Sequence, residues 1–78
     1  MKTVFLTWIC DQWLSNDAKS LVAVSTTNKR AIELCRSHLK NVFKTDFKWN
    51  EWEELNSENQ VRLSDLGFYI EEVELYID

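Results

Sequence analysis

Residues 3–10 divide into two alternating sets of positions, and both sets are largely hydrophobic. The even-numbered positions are Val4, Leu6, Trp8 and Cys10, and the odd-numbered positions are Phe5, Thr7 and Ile9. A period of two predicts a β-strand. Because both sets are largely apolar, we expect a central strand whose even-numbered residues face the core.

A second apolar run, from Ser20 to Thr26, follows a polar stretch that contains Ser15, Asn16 and Asp17. Such residues form tight turns because their side chains bond to nearby backbone groups. The two runs therefore predict an amino-terminal β-hairpin.

The period changes to that of a helix at Asn28. One face of residues 28–44 is apolar and the opposite face is charged; the apolar positions are Ala31, Ile32, Cys35, His38, Leu39, Val42 and Phe43. This pattern predicts an amphipathic helix that covers a sheet. Thr26, Thr27 or Asn28 can cap it, because each carries a side-chain oxygen.

The region after the helix gives a mixed pattern. Phe47 and Trp49 alternate as in a strand, whereas Trp49, Trp52 and Leu55 recur every third residue as in a helix. We favour a third strand with an irregular end here.

Two further segments, residues 61–63 and 68–77, resemble strands around a turn at Asp65, Leu66 and Gly67. A bulge near Glu71 would bring the two apolar phases of the last segment onto one face. The predicted fold is a single α+β domain over residues 1–78. It consists of the hairpin, one helix at 28–44, and two or three strands in an antiparallel sheet with the helix packed on one face.

Composition limits the functional classes. The 78 residues include one glycine and no proline, so the chain has no glycine-rich phosphate loop of the kind that nucleotide enzymes use. The apolar run from Val4 to Cys10 is far shorter than the roughly 20 residues of a membrane span. Asp11 and Gln12 interrupt any resemblance to a secretion signal. Two cysteines are too few for a disulfide framework, so we expect a cytoplasmic protein.

Charge is distributed unevenly along the chain, whose net charge is −4. Residues 28–48 hold six basic residues against Glu33 and Asp46, whereas residues 49–78 hold nine acidic residues against Arg62. The exposed side of the predicted helix carries Lys29, Arg36, Lys40 and Lys44, which are candidates for phosphate contacts. The acidic net charge opposes nucleic-acid binding, because such binding relies on a basic excess.

Metal binding is another alternative, through Cys10, Cys35 and His38. Cys35 and His38 lie three residues apart on one helix face, which is expected to look toward Cys10. A closed zinc site needs a fourth ligand and ordinarily contains a tight Cys-x-x-Cys pair, which this sequence lacks. Buried, apolar use of both cysteines is the competing interpretation, and we expect no cofactor.

Catalytic equipment is sparse. His38 and Cys35 both face the predicted core, where a substrate has no access. Consecutive glutamates on a strand point to opposite faces, so they do not converge in a cleft. We therefore expect a protein that is not an enzyme.

The aromatic residues favour a protein-binding role. Trp49 and Trp52 flank a cluster of glutamates, and Tyr76 lies on the last predicted strand. Tryptophan is enriched in interfaces because it buries a large rigid area at small entropic cost. The predicted patch, for a basic protein partner or for a second copy of the chain, is Trp49, Glu51, Trp52, Glu53, Glu54 and Tyr76.

The carboxy-terminal run from Gly67 to Leu75 resembles the closing strand of small uncharacterised bacterial and phage domains. In those domains an opening hairpin and one helix with an Ala-containing start, here Asn28 to Glu33, precede the final strand. The resemblance implies a ββαββ fold. The small size, the acidity and the lack of catalytic residues also resemble phage accessory or inhibitor proteins that bind and block a host factor, by analogy only.

Overall fold

The computed structural model describes residues 2–11, 19–64 and 66–75. Its elements, in chain order, are β1 (Lys2–Cys10), β2 (Ser20–Ser25), α1 (Asn28–Phe43), α2 (Trp49–Glu58), β3 (Gln60–Arg62) and β4 (Gly67–Leu75). The predicted α+β class is confirmed, with two helices where the sequence predicted one. The predicted turn at residues 15–17, Asp65 and residues 76–77 of the last predicted strand lie outside the described residues.

The four strands form one antiparallel sheet in the order β2-β1-β4-β3. The register of β1 with β4 runs without a shift from Lys2 opposite Leu75 to Cys10 opposite Gly67. The bulge predicted near Glu71 is therefore wrong. The irregularity lies instead between β1 and β2, where Thr7 pairs with Ala23 but Trp8 pairs with Leu21.

The odd-numbered face of β1 is the one that packs against the helices. Thr7 is completely buried, and its Oγ1 donates a hydrogen bond of 3.3 Å to the carbonyl oxygen of Ala31 in α1. Phe5 and Ile9 pack against the same core. The prediction that the even-numbered residues face the main core is thus wrong. Because both faces of β1 are apolar, its own sequence does not determine which face is buried in the core. The helices cover the odd-numbered face only.

Helix α1 confirms the predicted amphipathic helix. The side chain of Thr27 accepts a hydrogen bond of 3.1 Å from the backbone N–H of Arg30, which satisfies one of the free donors at the helix start. Ala31, Ile32, Cys35 and Leu39 are buried. Val42 and Phe43, at the last turn, are 56% and 44% exposed, so the predicted apolar stripe is longer than the face that the sheet covers.

Helix α2 replaces the strand that the sequence favoured at residues 47–49. Leu55 is completely buried, and Trp52 is half-buried one turn earlier, which is the helical spacing of the mixed pattern. The carboxylate of Glu51 accepts a hydrogen bond of 2.8 Å from the backbone N–H of Lys48, at the helix start. This contact stabilises the first turn, where backbone donors otherwise lack partners.

The core lies between the helices and one face of the sheet. Its buried members are Ala31, Ile32, Cys35, Leu39, Leu55, Val61, Phe68 and Ile70. The ring of Phe68 makes edge contacts with His38 at 6.2 Å and with Phe47 at 5.8 Å between centroids. Phe68 therefore connects β4 to α1 and to the segment that leads into α2.

The opposite side of the sheet, which we call the open face, is also apolar. Its described residues include Val4, Leu6, Trp8, Leu21, Val24, Tyr69, Val73 and Leu75. Trp8, predicted as a core residue, lies here: its ring stacks on Tyr69 at 6.4 Å, and its Nε1–H donates to Glu71 at 3.1 Å. The Lys19 ammonium sits 4.2 Å from the centroid of the Trp8 ring.

Candidate functional site

Trp49 is the most exposed large hydrophobic residue among the described residues, with 74% of its surface accessible. It is the first residue of α2, next to the hydrogen bond between Lys48 and Glu51 that fixes the helix start. Its position is thus set by regular backbone structure. Because most of the Trp49 side chain is exposed, packing within the chain does not explain a large aromatic residue at this position.

Trp52, one turn further along α2, is held against the core. Its ring packs on Phe47 with 5.9 Å between centroids. The guanidinium of Arg36 lies 5.2 Å from the Trp52 ring centroid, within the range of a cation–π contact. Trp52 therefore joins α2 to α1 and exposes only part of its ring.

Arg36 is oriented by Asp46, in the segment between the helices. Its Nε and one terminal nitrogen bond the two carboxylate oxygens at 3.1 and 3.0 Å, and Lys40 approaches the same carboxylate at 3.5 Å. The Arg36 hydrogen bond, together with a backbone bond from Phe47, lowers the pKa of Asp46 from 3.8 to about 2. A bidentate pair of this kind fixes the plane of the guanidinium.

These contacts leave a shallow depression between the helices, which we call the interhelical groove. One part, of about 150 Å³, is lined by Arg36, Asp46, Phe47, Trp49 and Trp52. The adjoining part, of about 400 Å³, is lined by Glu33, Arg36, Ser37, Lys40 and Trp52. Arg36 and Trp52 belong to both parts, so the two form one continuous surface.

The predicted protein-binding residues fall into different roles. Trp49, Glu53 and Glu54 are exposed on α2, and Trp52 forms one wall of the groove. Glu51 is half-buried, and its carboxylate already accepts the Lys48 N–H. Tyr76 lies outside the described residues. The sequence pattern missed Asp46 and Phe47, because their importance depends on a bend between the helices that no local spacing reveals.

The four predicted phosphate-contacting residues, Lys29, Arg36, Lys40 and Lys44, are all exposed. Two of them share Asp46 as an ion-pair partner. Glu33 also pairs with Arg30 at 3.3 Å on the same helix. The basic surface that the sequence suggested is therefore partly neutralised by neighbouring carboxylates, which weakens its attraction for phosphate groups.

The predicted metal ligands do not form a cluster. Burial raises the pKa of the Cys35 thiol to about 12, and the Cys10 thiol is directed to the carbonyl oxygen of Gly67 at 3.5 Å. The His38 ring lies between Phe43 and Phe68, in edge contacts of 6.0 and 6.2 Å. Across residues 2–11, 19–64 and 66–75, no three His, Cys, Asp or Glu side chains are placed to hold a metal ion.

A third depression, of about 350 Å³, lies at the carboxy-terminal end of α1. Leu39, Phe43, Leu63 and Leu66 contribute its apolar side, and Asp46 and Glu51 are at its charged side. Asp46 lines this depression and the groove alike, so the two surfaces are neighbours. No local sequence pattern predicts this depression, because its lining comes from four separate segments.

Comparison with known proteins adds no assignment. No protein-family model, curated protein or solved structure matches this chain. The resemblance to small bacterial and phage domains therefore stays a prediction. None of the helices in the described ranges is both long and apolar enough to cross a membrane.

Proposed function

We propose that this chain is a non-catalytic protein-binding domain that contacts its partner through Trp49 and the interhelical groove. The observation that carries the proposal is the 74% exposure of Trp49 at a position fixed by the start of α2. A rigid tryptophan loses little conformational entropy on binding and buries a large area, which are the properties of an interface hot spot.

The charges beside Trp49 indicate the chemistry of the partner. Glu53 lies four residues after Trp49, so the two share one face of α2, and Glu54 is exposed next to it. Within the groove, Arg36 and Lys40 both pair with the carboxylate of Asp46, which neutralises part of their positive charge. A segment that places a large apolar side chain in the groove and a Lys or Arg beside Glu53 fits this surface.

Selection of peptides from a random library, with the full chain as bait, tests the proposal. We expect the selected peptides to combine a large apolar residue with a basic one. Trp49→Ala should weaken their binding at least about tenfold, the effect of losing one interface anchor. Val42→Ala is the matched control, because Val42 is 56% exposed and lies on the opposite side of α1 from the groove residues.

Nucleic acid is the competing ligand, and two lysine variants together with Trp49→Ala distinguish it from a peptide. Binding of a single-stranded oligonucleotide that disappears in Lys29→Ala and Lys44→Ala, with no selected peptide sensitive to Trp49→Ala, would contradict the proposal. Amide chemical-shift changes that map a selected peptide to β2 or β4 instead of α2 would contradict it as well. An accessory or inhibitor role toward a host factor stays a prediction from the sequence.

A further inference from the structure

Strand β2 (Ser20–Ser25) forms one edge of the sheet, at the end of the order β2-β1-β4-β3. In an edge strand, about half of the residues direct their backbone N–H and C=O groups away from the neighbouring strand. Among the described residues, no backbone hydrogen bond outside the helices and the sheet involves β2. The outer side of β2 therefore carries main-chain donors and acceptors that no described backbone group satisfies.

The two edges of the sheet differ in how they are protected against a further strand. Short length, charged side chains and β-bulges all hinder strand addition. At the opposite edge, β3 has three residues, including the exposed Arg62. β2 has six residues and neither a charged residue nor a proline, and a bulge at Val22 is its one such feature. β2 is thus the edge that is more open to strand addition.

We propose that β2 binds an extended segment of another protein, which adds a fifth strand to the sheet. In this mode of recognition the main-chain hydrogen bonds supply affinity, and alternate side chains of the segment supply specificity. None of the residues that line the interhelical groove belongs to β2. The proposal therefore goes beyond the function proposed for Trp49 and is independent of it.

The side chains of β2 indicate which segment fits. Leu21 and Val24 are 49% and 55% exposed on the open face, where they pair with Trp8 and Leu6 of β1. An added strand would place every second side chain beside them, and apolar residues there gain from cross-strand contact. The intervening positions lie beside small residues such as Ala23. The ligand is therefore an uncharged extended segment in which apolar and small polar residues alternate.

The length of β2 favours such a segment over a second copy of the chain. Its six residues extend for about 20 Å, and one sheet layer is about 10 Å thick. Edge-to-edge contact through β2 alone then covers roughly 200 Å² on each partner, far below the roughly 800 Å² of a stable interface between folded proteins. This contact matches the footprint of a single added strand, whose affinity comes from main-chain hydrogen bonds.

A synthetic peptide of six alternating threonine and valine residues, acetylated and amidated at its ends, tests the proposal. Titrated into the isotope-labelled full chain, it should shift the amide resonances of residues 20–25. The matched control is the same peptide with every backbone amide N-methylated, which keeps the side chains but removes the hydrogen-bond donors. N-methylation should weaken binding at least about tenfold.

Substitutions in the protein distinguish β2 from other surfaces. Leu21→Lys and Val24→Lys should each weaken binding of the peptide about tenfold or more, because a charged side chain on an edge strand opposes strand addition. Val42→Lys is the matched control, since Val42 is 56% exposed but lies on α1. Val42→Lys and Trp49→Ala should leave the affinity unchanged, and insensitivity to Trp49→Ala distinguishes this site from the groove. Far-ultraviolet circular dichroism verifies that each variant is folded.

Three results would overturn the proposal. The first is an absence of shifts at residues 20–25 at millimolar peptide concentration, or shifts confined to α2. The second is equal binding of the N-methylated peptide, which would show that the main-chain groups of β2 are not used. The third is a full chain that dimerises and that Val24→Lys, but not Val42→Lys, returns to a monomer, because a second copy would then occupy β2.

Discussion

Arg36 holds both carboxylate oxygens of Asp46, at 3.1 and 3.0 Å, and so connects α1 to the segment that leads into α2. The same guanidinium lies 5.2 Å from the Trp52 ring. One ion pair thus positions an aromatic wall of the interhelical groove. We expect the ion pair between Arg36 and Asp46 to affect the stability of the protein at acid pH.

The pKa of Asp46 is lowered from 3.8 to about 2, chiefly by the Arg36 hydrogen bond. A carboxyl group with a lowered pKa in the folded state stabilises the fold above its unfolded pKa, and this contribution is lost as the pH falls through the folded value. We therefore expect part of the stability to disappear between about pH 4 and pH 2. Asp46→Asn should flatten that part of the profile in urea unfolding at several pH values; an unchanged slope would contradict the prediction.

The hydrogen bond from the Lys48 N–H to Glu51 predicts a structural role for Glu51. Glu51→Ala should lower the free energy of unfolding by about 0.5 to 1 kcal/mol, because it removes an acceptor at the start of α2. Glu54→Ala, at an exposed position of the same helix, should change it by less than about 0.5 kcal/mol. Equal effects of the two substitutions in urea unfolding would argue against the capping contact.

Lys44 ends α1 in the left-handed conformation, with a φ of 59°. A side chain at such a position costs energy that glycine avoids, because Cβ approaches the backbone carbonyl. Lys44→Gly should therefore stabilise the fold, by about 0.5 to 1 kcal/mol after the added flexibility of the unfolded chain is included. Lys40→Gly, inside the same helix, is the opposite control and should destabilise it. Thermal unfolding of both variants measures the difference.

Cys35 is completely buried, and burial raises the pKa of its thiol to about 12 from an ordinary value of 9.0. Because the thiolate is the reactive form, the folded protein should react with iodoacetamide at this residue far more slowly than the unfolded protein does. The linkage has a definite sign: stability should fall as the pH rises from about 9 toward 12, since the unfolded state loses the proton first. Mass spectrometry of peptides after labelling identifies the modified cysteine, and fast labelling of folded Cys35 would contradict its burial.

Local patterns predicted the elements whose periodicity is long and uninterrupted. Helix α1 contains sixteen residues with one continuous helical period. Its N-cap, Thr27, is of a residue type whose side chain accepts hydrogen bonds from backbone N–H groups. Helix α2 has ten residues and begins after Lys48, which supplies no side-chain cap. Trp49 also fits an alternating pattern with Phe47, so the burial of Leu55 in the folded chain decides between the two periods.

The candidate surfaces were predictable only in part. Exposure of Trp49 follows from its place beside several charged residues, whereas the groove needs Asp46 and Phe47 to lie next to Arg36, a contact across ten residues. The prediction of which face of β1 packs against the core was wrong for a related reason. Its two sides have similar hydrophobicity, and the choice between them is made by α1 through contacts such as the one between Thr7 and Ala31.

The two central strands of the sheet are β1 and β4, the first and last elements along the chain. During synthesis on a ribosome, the amino-terminal strands emerge early, but the inner edge of β1 has no neighbour until residues 67–75 have been made. Contacts of such sequence separation form slowly. For most of its translation the nascent chain therefore carries an open strand edge and exposed apolar side chains, which is the stage at which chaperones would protect it from aggregation.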